Sequence, residues 1–409
     1  MLPRRCVNID WLEVYALEPI EEPHTPAWYR AKGLDVSERD YGTRLYEQMF
    51  TIIDRHGYRL LEVRRKPKQS PDQNAILPPN ACHIRLCNRT CYSSNAVAIM
   101  QEFLKNYGLQ FSRIYRIDVC LDFEKFDSGD MPARFVYRYM KGAYSKINQS
   151  NLAAHGRDQW DGRIWNWLHW GSERSPVSTK IYNKSLELRE ATDKPYIKQA
   201  WFEAGLIDHP QELWKQRPDG QRYTPEIWRV EFSIKSSVKN WVTIEADGNP
   251  KKKRSFRNTL EMYDTPDKLL SMFAALQDHY FHFRYWKKDK LKYDCPRKHL
   301  FTFSNIEHFY KVEHPASDHP RDAFEVRMRR YLEQYRLTHS DMKLREAIDK
   351  ILDAINTNDM RRFCADPWNS AELLALQLTL RDRIKDKSVD SEKRYQEYMQ
   401  IIKGSDSFF

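Results

Sequence analysis

Three segments constrain the fold of this chain most: RIDVCLDF (116–123), KIYNKSLEL (180–188) and WRVEFSIK (228–235). In the first, Ile117, Val119 and Leu121 alternate with Arg116, Asp118 and Asp122. In the third, Trp228, Val230, Phe232 and Ile234 alternate with Arg229, Glu231 and Lys235. In the second, Lys180, Tyr182 and Lys184 fall two apart. Residues two apart on a β-strand share a face, so each segment reads as a strand with one apolar and one charged side. Placed in one sheet, they bring carboxylates, a tyrosine and several cations onto one surface.

Further strands are expected at 6–17, within 44–63 and at 83–92, and two more over 165–184, joined by a turn at GSERSP. Residues 241–263 read as a hairpin with its turn at ADGNPKKKR (246–254). Residues 96–108 read as a helix stopping at Gly108, residues 132–147 as another helix, and the polar stretch 148–163 as a loop. After about residue 311 the pattern changes. Apolar residues recur at helical spacing in 324–335 and 344–355, and further helices are expected over 370–386 and 391–403. The resulting expectation is an α+β protein: an antiparallel-rich central sheet with helices on one side over 1–310, and a helical C-terminal region over 311–409.

The chain is 409 residues long, with 41% hydrophobic and 30% charged residues, which fits a folded soluble protein rather than a disordered one. Its 67 basic against 57 acidic residues give a net charge of +10, which phosphate backbones attract, although many basic proteins bind no nucleic acid. The seven cysteines are too few and too irregular for a disulfide framework. The basic N-terminus is broken by Asp10 and Glu13 and is not a secretory signal, and no apolar run is long enough to span a membrane. A cytoplasmic location without membrane contact is the default.

Asp118, Asp122 and Glu231 suit a divalent cation held by oxygens, Mg²⁺ or Mn²⁺; the plain alternative is acids paired with neighbouring cations. Glu231 repeats an Arg-x-acid pattern, Arg116-Ile117-Asp118 and Arg229-Val230-Glu231. Tyr182 between two lysines is a candidate nucleophile whose phenolate nearby cations would favour; the alternative is a tyrosine packed on the sheet. Lys251, Lys252, Lys253 and Arg254 could grip DNA from the hairpin tip or simply be solvated. The aromatic-basic stretch 279–293 could stack bases, but such aromatics are more often core. Cys82, Cys87 and Cys91 lack the spacing of a zinc knuckle. No phosphate-cradling Gly-x-x-x-x-Gly-Lys loop is present.

Asn8-Ile9-Asp10-Trp11-Leu12, then RIDVCLDF, then GSERSP and KIYNKSLEL, then WRVEFSIK, follow one another in an order that resembles the replication initiation factor family. This family comprises the rolling-circle plasmid replication initiators and the related relaxases of integrative and conjugative elements. The resemblance covers residues 7 to 310. It implies an origin-specific, strand-specific DNA nicking and rejoining activity, with a tyrosine that forms a 5′-phosphotyrosine link and frees a 3′-hydroxyl. By motif position, that tyrosine is Tyr182, Asp118 and Glu231 are metal-binding acids with Asp122 beside them, and Lys184, Arg229 and Arg174 hold phosphate. Arg116 and Lys180 join the DNA-binding set. The resemblance also implies single-stranded or hairpin origin DNA as substrate and a host helicase as partner, and leaves a homodimer open. The His-hydrophobe-His metal motif of other nicking enzymes is absent, since His279 and His282 have two residues between them. Two alternatives remain: a DNA-binding regulator without catalysis, and a metal-dependent nuclease without a covalent intermediate.

Overall fold

A computed structural model describes residues 4–68, 77–147, 152–159, 162–172, 175–190, 193–236, 241–244, 250–251, 258–287, 295–303 and 310–312. Within these ranges the side chains of 157–159, 162–164, 241–244 and 250–251 are left out of the description. The expected C-terminal helices lie outside the described residues.

The centre of the fold is one ten-stranded sheet. In chain order its strands are β1 (Arg5–Leu17), β2 (Asp35–Glu38), β3 (Tyr46–Ile53), β4 (Arg59–Pro67), β5 (Ala81–Leu86), β6 (Gln110–Phe123), β7 (Leu152–Gln159), β8 (Gly162–Trp170), β9 (Val177–Asn183) and β10 (Trp228–Lys235). They lie side by side as β2-β3-β4-β5-β1-β6-β10-β9-β8-β7. Neighbours in the central stretch from β5 to β8 pair antiparallel. The segments at 116–123 and 228–235 thus lie next to each other, with Tyr182 on the strand beyond.

Alternation explains the apolar face. Leu12 and Val14 of β1, Ile117, Val119 and Leu121 of β6, Val230, Phe232 and Ile234 of β10 and Ile181 of β9 are fully buried. Each such side chain contributes roughly 1.5–3 kcal/mol by leaving water. Helix α1 (Ala96–Asn106) covers this face with Val97, Met100, Phe103 and Leu104, and helix α5 (Pro266–Tyr280) with Met272, Phe273 and Leu276. Between them in the chain comes α2 (Pro132–Met140), whose Tyr139 accepts a hydrogen bond from Trp170 of β8. Gly108 follows α1 at φ 61°, the left-handed conformation that lets a chain leave a helix without Cβ strain.

Not every helix is on that side. α3 (Lys184–Glu190) and α4 (Pro195–Glu203) build a separate small core from Leu188, Ile197, Trp201, Leu206, Ile207 and Ile227. The Trp201 indole reaches Asp122 on the polar face. One end of that face is therefore covered.

Local readings need adjustment. The stretch 44–63 is a hairpin, because Asp54 Oδ1 accepts from the His56 and Tyr58 amides and turns the chain. The strand expected over 83–92 ends at Leu86 and gives way to a helical turn at Asn88–Cys91. The helix expected over 132–147 stops at Met140, and Tyr144–Lys146 is a short strand. Residues 152–159, expected to be loop, pair with β8. Of the hairpin expected over 241–263 only the first strand lies where expected: Trp241–Ile244 pairs with Pro250–Lys251, which falls inside the expected turn, and Leu260–Met262 is a 3-10 turn. His279 lies in the last turn of α5.

Candidate active site

Directly opposed residues of an antiparallel pair point to the same face, so the register aligns side chains in rows across the sheet. One row is Asp122, Arg229 and Tyr182. The next is Cys120, Glu231 and Lys180. A third is Asp118, Ser233 and Ser178, and a fourth sets Arg116 opposite Lys235. Tyr182, Glu231 and Asp118 thus lie on one diagonal of the polar face.

The half-buried Tyr182 hydroxyl donates to Glu231 Oε2 at 2.9 Å, and Lys180 Nζ donates to Glu231 Oε1 at 2.8 Å. Burial, reinforced by the Glu231 charge, pushes the phenol pKa well above its ordinary value. The expectation that cations would leave Tyr182 readily ionised is therefore reversed: in this state it is a neutral phenol bonded to a carboxylate.

Lys184 is not on the strand, contrary to the continuous strand expected over 180–188. The strand ends at Asn183, whose Oδ1 accepts from the Leu186 amide and the Ser185 hydroxyl and starts α3. Lys184 is the first helical residue, yet its Nζ lies 3.4 Å from the Tyr182 hydroxyl. Glu187 Oε2 holds the same ammonium at 2.5 Å and Lys194 Nζ reaches Glu187 Oε1 at 2.9 Å. Burial, then the Arg229 charge, lower the Lys184 pKa.

Arg229 is fully buried and donates four hydrogen bonds. They run from Nε to Asp122 Oδ1 at 2.6 Å, from Nη2 to Asp122 Oδ2 at 2.7 Å and to the Tyr92 hydroxyl at 2.6 Å, and from Nη1 to Asp10 Oδ1 at 2.7 Å. Tyr92 in turn donates to Asp10 Oδ1 at 2.5 Å. Burial works hardest against the Arg229 charge, but Asp122 and the other groups around the guanidinium, Asp10 among them, together outweigh it and raise the pKa. An arginine with no exposed surface and this set of partners cannot reach a phosphate, so the phosphate-holding role expected of it is corrected to a structural one. Asp122 is likewise taken, since its Oδ2 also accepts from Trp201 Nε1 at 2.6 Å.

Asp118 is buried and accepts a two-pronged contact from Arg116, Nε to Oδ1 at 2.9 Å and Nη2 to Oδ2. Burial above all, with the Glu231 charge added, pushes its pKa up to about 6 despite that contact. Among the described residues no three His, Cys, Asp or Glu side chains converge as a metal centre requires. The expected set of three acids therefore does not form, because Arg229 and Trp201 hold Asp122 apart. Asp118 and Glu231 stay near enough to repel each other, which a divalent cation would relieve, but Arg116 holds both oxygens of Asp118 and Lys180 and Tyr182 those of Glu231, so the cation would take the place of one of these partners. Arg116 and Lys180, expected to touch DNA, are ion-paired to these two acids.

Arg174, Lys252, Lys253 and Arg254 lie outside the described residues. Lys251 sits in a short strand, Pro250–Lys251. In the 279–293 stretch Phe281 and Phe283 are core, while Tyr285 and Trp286 are exposed. Sequence reasoning did not find Tyr92, Trp201 or Glu187. Asp10 stood in a quoted motif without a role, and its acid beside an aromatic on an opening strand was the available signal.

No family model matches the chain, and no curated protein matches it. Among solved structures, a rolling circle replication initiator protein from Geobacillus stearothermophilus is similar over 72% of this chain and 92% of that one, at 13% identity and a TM-score of 0.40. This is a distant likeness, and no residue role is carried over from it.

Proposed function

We propose that this chain nicks and rejoins one strand of DNA through Tyr182, as a replication initiator or transfer relaxase of a mobile element. The observation that carries the reading is the Tyr182 hydroxyl bonded to Glu231, with the Lys184 ammonium beside it. Glu231 accepts the phenolic proton as the phenol oxygen attacks phosphorus, and Lys184 offsets the negative charge that develops on that oxygen. A phosphotyrosyl bond forms on the 5′ side while the bond to the 3′ oxygen breaks; that oxygen takes a proton from solvent water to become a free 3′-hydroxyl, and Glu231 returns the phenolic proton to solvent. Attack by a 3′-hydroxyl on the phosphotyrosine reverses the sequence and closes the strand. Arg229 fixes the strand on which Glu231 sits and does not touch substrate.

A divalent metal, Mg²⁺ or Mn²⁺, fits Asp118 and Glu231 rather than all three acids. Bound there, it would polarise a phosphate oxygen. The substrate class is single-stranded or hairpin origin DNA, with base specificity supplied by contacts other than those to phosphate.

A second reading, a DNA-binding regulator without covalent chemistry, draws on the burial that keeps Tyr182 protonated. Incubating 3′-end-labelled single-stranded DNA with the protein and Mn²⁺, then separating under denaturing conditions, decides between them. Labelled protein in the wild type and none in Tyr182→Phe supports the proposal. Binding with no labelled protein from either supports the regulator, and nicking that survives in Tyr182→Phe supports a nuclease without a covalent intermediate.

A further inference from the structure

The Asn8-Ile9-Asp10-Trp11 segment of β1 contains a bulge. The pairing with β6 shifts between Ile9 and Trp11, so that Ile9 faces Val119 and Trp11 faces Asp118, with Asp10 extra. An extra residue lets two consecutive side chains share a face. Asp10 goes to Arg229, while Trp11 stands on the polar face two rows further along. There it meets one arginine from each flanking strand. The Arg85 guanidinium of β5 lies 3.9 Å from the Trp11 ring centroid, and that of Arg116 of β6 lies 4.5 Å from it. Since β1 runs between β5 and β6, the two cations come from the strands on its two sides.

The two arginines differ in their partners. Arg116 is bound to Asp118. The Arg85 side chain makes no hydrogen bond or ion pair among the described residues, and its Nε is buried without a partner. The nearby acids are already used: Glu13 accepts from Arg64 at 3.0 Å and from Trp11 Nε1 at 3.2 Å, and Glu62 accepts from Arg64 at 2.7 Å. A planar guanidinium set over an aromatic ring, with no protein group taking its donors among the described residues, suits an anion with several acceptor oxygens.

We infer that Arg85, set over the Trp11 ring, is a seat for a backbone phosphate of the DNA strand engaged at Tyr182. The inference rests on the nicking reading for its choice of ligand. The row of Tyr182 and Arg229 and the row of Arg116 and Lys235 are separated by six residues of β10, or about 20 Å along the strands. The bound strand then runs along the sheet's polar face, with one phosphate at Tyr182 and another, several nucleotides away, at Arg85.

The test is the salt dependence of single-stranded DNA binding, measured by fluorescence anisotropy for wild type, Arg85→Gln and Arg85→Lys. Losing one phosphate contact lowers the slope of log K against log salt by about 0.7. Arg85→Gln is expected to show that loss and Arg85→Lys to keep the slope. Equal slopes and affinities for wild type and Arg85→Gln would overturn the seat. Phenylglyoxal labelling of the wild-type protein needs no variant: bound single-stranded DNA is expected to protect Arg85, and equal labelling with and without DNA contradicts the proposal. Both readouts are independent of covalent chemistry, so absence of a labelled adduct in the wild type sinks the nicking reading while these measurements still judge the seat.

Discussion

The Tyr182 hydroxyl and Glu231 Oε2 stand 2.9 Å apart on neighbouring antiparallel strands, in adjacent rows of one sheet face. The carboxylate is thus in place to receive the proton that burial otherwise keeps on the phenol. Glu231→Gln is expected to slow adduct formation by about 10²–10⁴-fold, the usual contribution of a positioned base, while DNA binding changes little. Single-turnover rates alongside equilibrium binding measure both.

Lys184 is held beside Tyr182 by Glu187 and is buried, which lowers its pKa. Lys184→Met removes the cation facing the developing phenolate. A fall of about 10²-fold in the rate of covalent capture is expected, comparable to deleting one donor to an oxyanion. Kinetics at saturating DNA separate this from weaker binding.

Arg229→Ala leaves Asp122 and Asp10 without their cation in a covered part of the sheet. A loss of about 3–5 kcal/mol of stability is expected, as when one partner of a buried ion pair is removed. Urea unfolding reads the change. Lys at this position keeps the charge but loses the fork to Asp122, so Arg229→Lys is expected to rescue only part of it.

Asp118 gives a pH dependence of definite sign. Its folded pKa of about 6 lies above the ordinary 3.8, so the folded state binds the extra proton between these values. Its favourable contribution is present below about 4 and is lost as pH rises through about 6. Asp118→Asn does not titrate. The stability of the variant relative to wild type, from urea unfolding, is therefore expected to improve steadily from pH 4 to pH 7.

How far the sequence told the story depended on what each residue's neighbours were. Alternation in 116–123 and 228–235 was enough to place Asp118 and Glu231 on one face, because two-residue periodicity is local. The same alternation made Arg229 and Asp122 look like exposed working groups. They are covered because α3 and α4 fold over that end of the sheet, a tertiary fact with no local signature. Lys184 was read as strand because the Lys180-Tyr182-Lys184 spacing outweighed the one helix-start signal in KIYNKSLEL, Asn183, whose side-chain Oδ1 accepts from the Leu186 amide. The bulge at Asp10 was silent, and without it neither the Asp10–Arg229 contact nor the Trp11–Arg85 contact can be anticipated.

The central claim is that one phenol becomes covalently joined to DNA. Its most direct measurement is proteolysis of the protein after incubation with single-stranded DNA and Mn²⁺, followed by mass spectrometry of the nucleotide-bearing peptide. The account predicts a phosphodiester mass on the peptide containing Tyr182. Nucleotide attached to any other residue, or nicked DNA with no attached peptide, contradicts it.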